Sequence, residues 1–366
     1  MKRFYFILII FILTCCATSS NIDLELQNNL IIKNPTQKDL NLDQIRLRGN
    51  FDIILDAEKN SLSESFVEGI QTSFFYYMSL RSSKTEISFQ EITAANKDNC
   101  LPFNSSNKKI ILISKKIIEV LKDCNVKTDN RTLFINLEKE LNEFEVPNQI
   151  NLFETYLQFF IDTILKDTFN DYIFLMEKKN IDEGIFLTNK NGIDPNNIFV
   201  IDNNSNFERK ISEIFEIDQS NKRKREIERI LGKKISFSHR YRKDKKNVII
   251  ETSPSIAERI IPAFRYNLLF DSQLYLLPKQ VDVWLNKKFS DYENVIGWEH
   301  PILFSKIDLQ NNKFAKLSTE KKLSFSLGFD SLPFLSRGFN SRYKGLLGSY
   351  SSNDKKIFVK PVYIEY

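Results

Sequence analysis

Short runs of branched and aromatic residues recur along this chain, each followed by a stretch with apolar positions three and four apart. That alternation most restricts what the chain can fold into. Residues 51–55, Phe-Asp-Ile-Ile-Leu, read as a strand, and 61–78 read as a helix with Phe66, Ile70, Phe74 and Tyr77 on one face. Strands are expected at 85–89, 109–114 and 132–137, with a short helix at 117–122 and a break at Pro147. The pattern resumes with a helix at 152–166, whose apolar face is Phe153, Tyr156, Leu157, Phe160 and Ile164. Strands at 172–176 and 198–202 follow, then helices at 206–215 and 218–231, the latter with Asp218 as N-cap and Gly232 as terminator. A buried-type strand at 247–251, a helix at 256–264 and a strand at 273–277 continue the series. Strands that alternate with helices predict α/β architecture, with parallel sheets covered on both faces. With 42% hydrophobic residues, 31 of them Phe, the chain can bury a large core, and its length suits two lobes.

The N-terminus reads differently. Lys2 and Arg3 precede an apolar run from Phe4 to Leu13, the layout of a secretory signal. That run is half the ~20 residues needed to span a bilayer. Leu13-Thr14-Cys15-Cys16 resembles a bacterial lipobox, which implies cleavage before Cys16 and a diacylglycerol on its sulfur. Residues 1–15 are then the signal peptide, and 16–45 a lipidated tether that is polar, is broken by Pro35 and has at most short helical pieces. Ala17 after the modified cysteine resembles outer-membrane sorting. The alternative is an ordinary signal peptide that contains a Cys pair.

Without Lys2 and Arg3 the chain carries 50 basic and 47 acidic residues, too balanced for a nucleic-acid footprint. The basic runs at 222–225 and 240–246 read as a solvated helix face and a polar loop. Cys100 and Cys124 are either a disulfide, which would constrain the unfolded chain by roughly 3 kcal/mol, or two unpaired small residues.

Residues 211–232 run Ile-Ser-Glu-Ile-Phe-Glu-Ile-Asp-Gln-Ser and then carry Arg225, Arg229, Ile230, Leu231 and Gly232. That stretch looks like the helix, I-D-x-S joint and R-x-x-x-L-G helix of the LppC/LpoA family of outer-membrane lipoproteins, which the sequence resembles from there onward. Ala257-Glu258-Arg259-Ile260-Ile261-Pro262 and Phe264-Arg265-Tyr266 are similar to A-R-L-I-x-P and L-R-F-Y. Leu274-Tyr275 stands where the family has its P-V-Y strand, Glu299-His300-Pro301 where it has D-M-P, and Leu327-Gly328-Phe329-Asp330 where it has L-G-x-D-A. Gly345-Leu346-Leu347-Gly348 through Asp354, then 361–366, resemble the closing G-x-T-G-x-L-x-x-D and Pro-aromatic ending. The first half matches faintly, at 51–55, Glu68-Gly69 and 109–114. Departures are Ile302 for the family's Trp, Asn294 for its Gly, a compressed helix after Met176, and the lack of the long helical-repeat domain that many members carry.

The resemblance implies a two-lobed type I periplasmic-binding-protein-like fold. The expected lobes are 46–150 with a return segment at about 312–342, and 151–311 with a C-terminal segment at about 343–366. It also implies a lipoprotein on the periplasmic face of the outer membrane that activates a class A penicillin-binding protein in peptidoglycan synthesis by protein contact. The alternative function is a lipid-anchored solute-binding or sensor protein with a small ligand between its lobes. No enzyme, cofactor or metal site is expected: the only histidines are His239 and His300, and no Gly-rich phosphate loop, Gly-x-Ser-x-Gly elbow or Cys-x-x-Cys pair occurs. Ser114 and Ser61 read as a strand end and an N-cap rather than nucleophiles. Tyr275, Trp284, Tyr292, Trp298 and His300 form the candidate partner surface, because aromatic residues are enriched at interface centres.

Overall fold

The structure is a computed structural model that describes residues 31–33, 38–39, 42, 45–80, 84–93, 97–124, 129–138, 141, 144–152, 171–181, 185, 192–237, 241–242, 245–278, 283, 292, 294–306, 314–353 and 356–365. The signal peptide, Cys16, most of the 152–166 helix, His239 and Trp284 lie outside them.

Two short strands open the described chain, β1 (Ile31–Lys33) and β2 (Lys38–Asp39), where the tether was expected to hold at most helical pieces. β3 (Phe51–Asp56), α1 (Ser61–Leu80), β4 (Ile87–Ile92), β5 (Lys108–Ile113), α2 (Lys115–Cys124), β6 (Thr132–Asn136) and β7 (Gln149–Asn151) follow. Next come β8 (Tyr172–Glu177), β9 (Ile198–Ile201), α3 (Phe207–Ile214), α4 (Ile217–Leu231), β10 (Asn247–Glu251), α5 (Pro254–Tyr266), β11 (Gln273–Leu276) and β12 (Val295–Glu299). A single turn, α6 (Pro301–Phe304), and β13 (Ser305–Lys306) lead to the long helix α7 (Thr319–Arg337). The chain ends in β14 (Tyr343–Lys344), β15 (Ser349–Asn353), β16 (Lys356–Lys360) and β17 (Val362–Glu365).

The strands form an eight-stranded sheet, β14-β15-β16-β7-β6-β5-β3-β4, and a seven-stranded sheet, β1-β17-β12-β11-β10-β8-β9. β3 pairs in parallel with its neighbours β4 and β5, and β8 with β9 and β10. The expected placement of residues 343–366 with the second lobe is corrected here. β15 and β16 form an antiparallel hairpin whose second strand joins β7 through Lys356 opposite Gln149, so only β17 belongs to the second sheet. Burial explains the switch: Tyr343, Leu346, Leu347, Tyr350 and Ile357 complete the first lobe's core.

Side-chain alternation builds two cores per lobe, because successive residues of a strand point to opposite faces. In the first lobe Ile53, Ile110, Leu112, Leu133 and Ile135 face α1 and α7, while Ile54, Ile111, Ile113 and Phe134 face Ile117 and Val120 of α2. In the second, Ile173, Leu175, Val248 and Ile250 pack beneath α3 and α5, and Tyr172, Phe174, Met176 and Ile249 line the reverse.

The helices α1 and α7 cross through reciprocal glycines. A Cβ at Gly69 would overlap the Phe325 carbonyl, and one at Gly328 would overlap the Phe66 carbonyl. Backbone meets backbone there, which only glycine allows. On the opposite face Cys100 is bonded to Cys124 at the end of α2, closing a 24-residue separation with Cα atoms 5.3 Å apart.

Two local expectations shift. The strand expected at 85–89 begins at Ile87, since the Thr85 hydroxyl donates to the Leu47 carbonyl at 3.4 Å before the strand starts. Asp218 does not cap α4. It lies inside the first turn and accepts from the Ser212 hydroxyl at 2.9 Å, while the N-cap is Glu216 in the left-handed region with φ 57°.

Candidate functional site

In each sheet the lobe's first strand lies between its second and third, in the orders β4-β3-β5 and β9-β8-β10. The chain therefore leaves that strand in one direction and later returns on the other side. The carboxyl end of such a strand is a topological switch point, where open α/β sheets hold ligands. β3 ends at Asp56 and β8 at Glu177.

The chain itself occupies both positions. Asp56 accepts from the Ser114 hydroxyl at 2.9 Å, from Lys116 Nζ at 3.0 Å and from the Glu58 amide at 3.0 Å. Ser114 also caps α2 by accepting from the Ile117 amide at 3.2 Å. Partial burial pushes the Asp56 carboxyl up, but the Glu58 amide, Lys116 and Ser114 together hold it below its usual value. The hydrogen bond to Asp56 in turn raises Lys116. The space among Asp56, Glu58, Asn60, Ser63, Ser114 and Glu138 is about 20 Å³, room for about one water. At the second switch point Glu177 Oε2 accepts from the Ser253 amide at 2.8 Å and lies 3.2 Å from Lys179 Nζ. Ser253 is the N-cap of α5, which starts with Pro254. A helix N-terminus is a ready anion site, and in each lobe a carboxylate of the same chain stands beside it.

A second polar centre lies under the chain crossings between the sheets. Asp330 of α7 is wholly buried and accepts from the Leu346 amide at 2.8 Å, the Leu347 amide at 3.0 Å, the Tyr350 hydroxyl at 2.8 Å and the Tyr343 hydroxyl at 3.3 Å. Gly345 has no Cβ because one would overlap this carboxyl, and its amide closes the turn on the Gly348 carbonyl at 2.8 Å. The turn then holds the crossings. The Leu346 carbonyl accepts from the Ile302 amide at 3.0 Å, and the Leu347 carbonyl is 2.8 Å from His300 Nδ1. A carbonyl only accepts, so Nδ1 of that ring carries a proton. Gly348, at φ 137°, packs against the Lys360 carbonyl where the chain passes from β16 to β17. Burial pushes the Asp330 carboxyl up to about 7, against the pull of its four donors.

The four described residues of the expected partner surface do not assemble as a surface. Tyr292, Trp298 and His300 are buried and Tyr275 is half-buried, with its ring stacked on Trp298 at 6.3 Å between centroids. Trp298 also meets Tyr363 of β17 edge-on at 5.7 Å. Tyr275 and Trp298 pack the second sheet's reverse face because β11 and β12 are interior strands, whereas Tyr292 joins the core on the other face. Among the described residues, no group of three His, Cys, Asp or Glu side chains could hold a metal ion, and no helix is long and apolar enough to cross a membrane. Asp330 had a visible sequence signal, a single charge inside the apolar run 327–335. The pairing of Asp56 with Ser114 and Lys116 had none, because it joins two different loops.

No protein-family model and no curated protein matches this sequence. Solved structures do match. LpoA from Haemophilus influenzae aligns over 89% of this chain at 11% identity with a TM-score of 0.54, and a full-length LpoA structure from the same organism gives 0.50. The chain spans 58% of the length of those LpoA chains. A branched-chain amino acid ABC transporter protein from Chromobacterium violaceum aligns over 86% of this chain and 99% of its own, at 11% identity with a TM-score of 0.50. The fold is thus type I periplasmic-binding-protein-like, with parallel sheets flanked by helices.

Proposed function

We propose that this protein is a lipoprotein of the outer membrane that faces the periplasm and stimulates a class A penicillin-binding protein by docking against it. The fold likeness to LpoA supports this reading, as do the lipobox-like Leu13-Thr14-Cys15-Cys16 and the family patterns from residue 211 onward. It competes with solute capture, which the equally similar transporter protein favours. The observation that carries the choice is the filling of both switch points. Asp56 and Glu177 engage the hydroxyl, amide and ammonium donors that the carboxylate of an amino acid would need. Activation by docking requires only a higher affinity for the partner's active conformation, and no reacting groups of the activator's own.

The test is a pull-down of the chain with a purified class A synthase, followed by a transpeptidation assay. Binding with a faster rate is the expected result, and neither binding nor a rate change contradicts the reading. Lipidation is checked separately by mass spectrometry of the wild type and Cys16→Ala. The variant loses the acyl mass if Cys16 is the anchor.

A further inference from the structure

The helix α4 outruns the surface it packs on. Ile217 and Ser220 are its buried residues, whereas from Lys222 onward every position is exposed or half-buried. Three apolar side chains stand in solvent near its end: Ile227 at 45% exposure, Ile230 at 78% and Leu231 at 56%. Separations of three and four place them on one stripe, which a helix of a soluble domain normally turns inward.

The charge around that stripe is one-sided. From Lys222 to Lys234 seven cations stand against two carboxylates, an excess of five, as large as the formal net charge of the whole chain. One of the two carboxylates, Glu228, is engaged by the Ile235 amide at 3.1 Å. Gly232 ends the helix in the left-handed region, and exposed Lys233 and Lys234 follow directly.

We propose that the outer half of α4 seats the protein on an anionic phospholipid surface. Isoleucine and leucine side chains enter the boundary between headgroups and acyl chains, and the flanking Lys and Arg side chains reach the phosphates along their aliphatic stems. An anionic bilayer answers both the positive charge and the apolar stripe. The contact does not rest on the activator reading and stands or falls separately.

The test uses the full chain with Cys15→Ala/Cys16→Ala, which removes the proposed lipid anchor and its thiols, carrying an environment-sensitive fluorophore at Ile230→Cys, and a control with the fluorophore at Leu101→Cys, a first-lobe position 77% exposed. Each is mixed with vesicles of phosphatidylglycerol and phosphatidylethanolamine, or of phosphatidylcholine alone, containing brominated acyl chains. The expected result is quenching and a blue shift at position 230 on the anionic vesicles only, reversed by high salt, with no change at position 101. Each basic residue near an anionic surface strengthens binding about fivefold, so Arg223→Gln/Arg225→Gln/Arg229→Gln weakens it on the order of 100-fold. All three residues are exposed, so the melting temperature stays unchanged. No quenching at 230, equal quenching at 101, or equal binding to phosphatidylcholine overturns the proposal. So does a response at 230 to an acidic protein with none to vesicles.

Discussion

Asp56 and Asp330 belong to the same lobe, yet opposite forces decide their charge. Asp56 stands at a strand end where Lys116 and Ser114 can reach it, and pairing outweighs burial. Asp330 lies in the interior with no cation among its four partners, and burial outweighs hydrogen bonding. The two positions have different work. The first fills with the chain's own anion the place where a solute would sit, and the second uses a carboxyl group as a template for the turn that carries the crossings between sheets. A carboxylate's neighbours, rather than its presence in an α/β lobe, tell whether it is a ligand site, a stopper or a scaffold.

The comparison breaks hardest at the helix that positions Asp330. Gly328→Ala forces α7 off the Phe66 carbonyl of α1, a backbone clash expected to cost about 3 kcal/mol or more. Denaturant unfolding should show a large drop or an unfolded chain, and wild-type stability would mean that the helices separate freely. Asp330→Asn is next. It turns an amide N–H toward donors, which costs about 1–3 kcal/mol. It also removes a pH dependence. A carboxyl whose folded value is raised to about 7 contributes stability that is complete below the ordinary carboxyl range and is lost as the pH rises through 7. Wild-type stability should therefore decline by up to about 4 kcal/mol between roughly pH 4 and 7, and the Asn variant should lack that component.

Asp56 gives the smaller effect with the opposite sign. Its folded value is depressed, so its contribution is present above the ordinary carboxyl range and is lost as the pH falls through the folded value. Asp56→Asn should cost about 1 kcal/mol at neutral pH and flatten only the acid limb of the stability curve. It also removes a negative charge beside Lys116 and the N-terminus of α2, so sulfate should protect the variant against heat more than the wild type. Equal protection would mean that Asp56 does not block an anion site.

Much of this was legible in the sequence where contacts are local. The β10 strand matches its expected span because Val248, Ile249 and Ile250 form an unbroken apolar run, and α4 stops at Gly232 as its left-handed preference predicts. What was missed depends on partners distant in the chain. The hairpin 349–360 belongs to the first sheet through pairing across about 200 residues, which no local pattern encodes. Asp218 has the composition of a cap, but Ser212 on the preceding helix claims its carboxylate. Trp298, Tyr292 and His300 have the residue types of an interface, and residue type does not distinguish an exposed position from a buried one. Asp330 stands in a family-like pattern, but its purpose depends on the turn 345–348, which folds around it and is not local in the sequence.

The switch points of both lobes are filled by the chain's own carboxylates, and the proposed function, contact rather than solute capture, depends on that filling. Heat-induced unfolding of the full chain in a titration of branched-chain and other amino acids tests it most directly. The account predicts a melting temperature that does not move at any concentration. A midpoint that climbs with the logarithm of the concentration of one of them, as mass action requires of a ligand bound to the folded state, would contradict it.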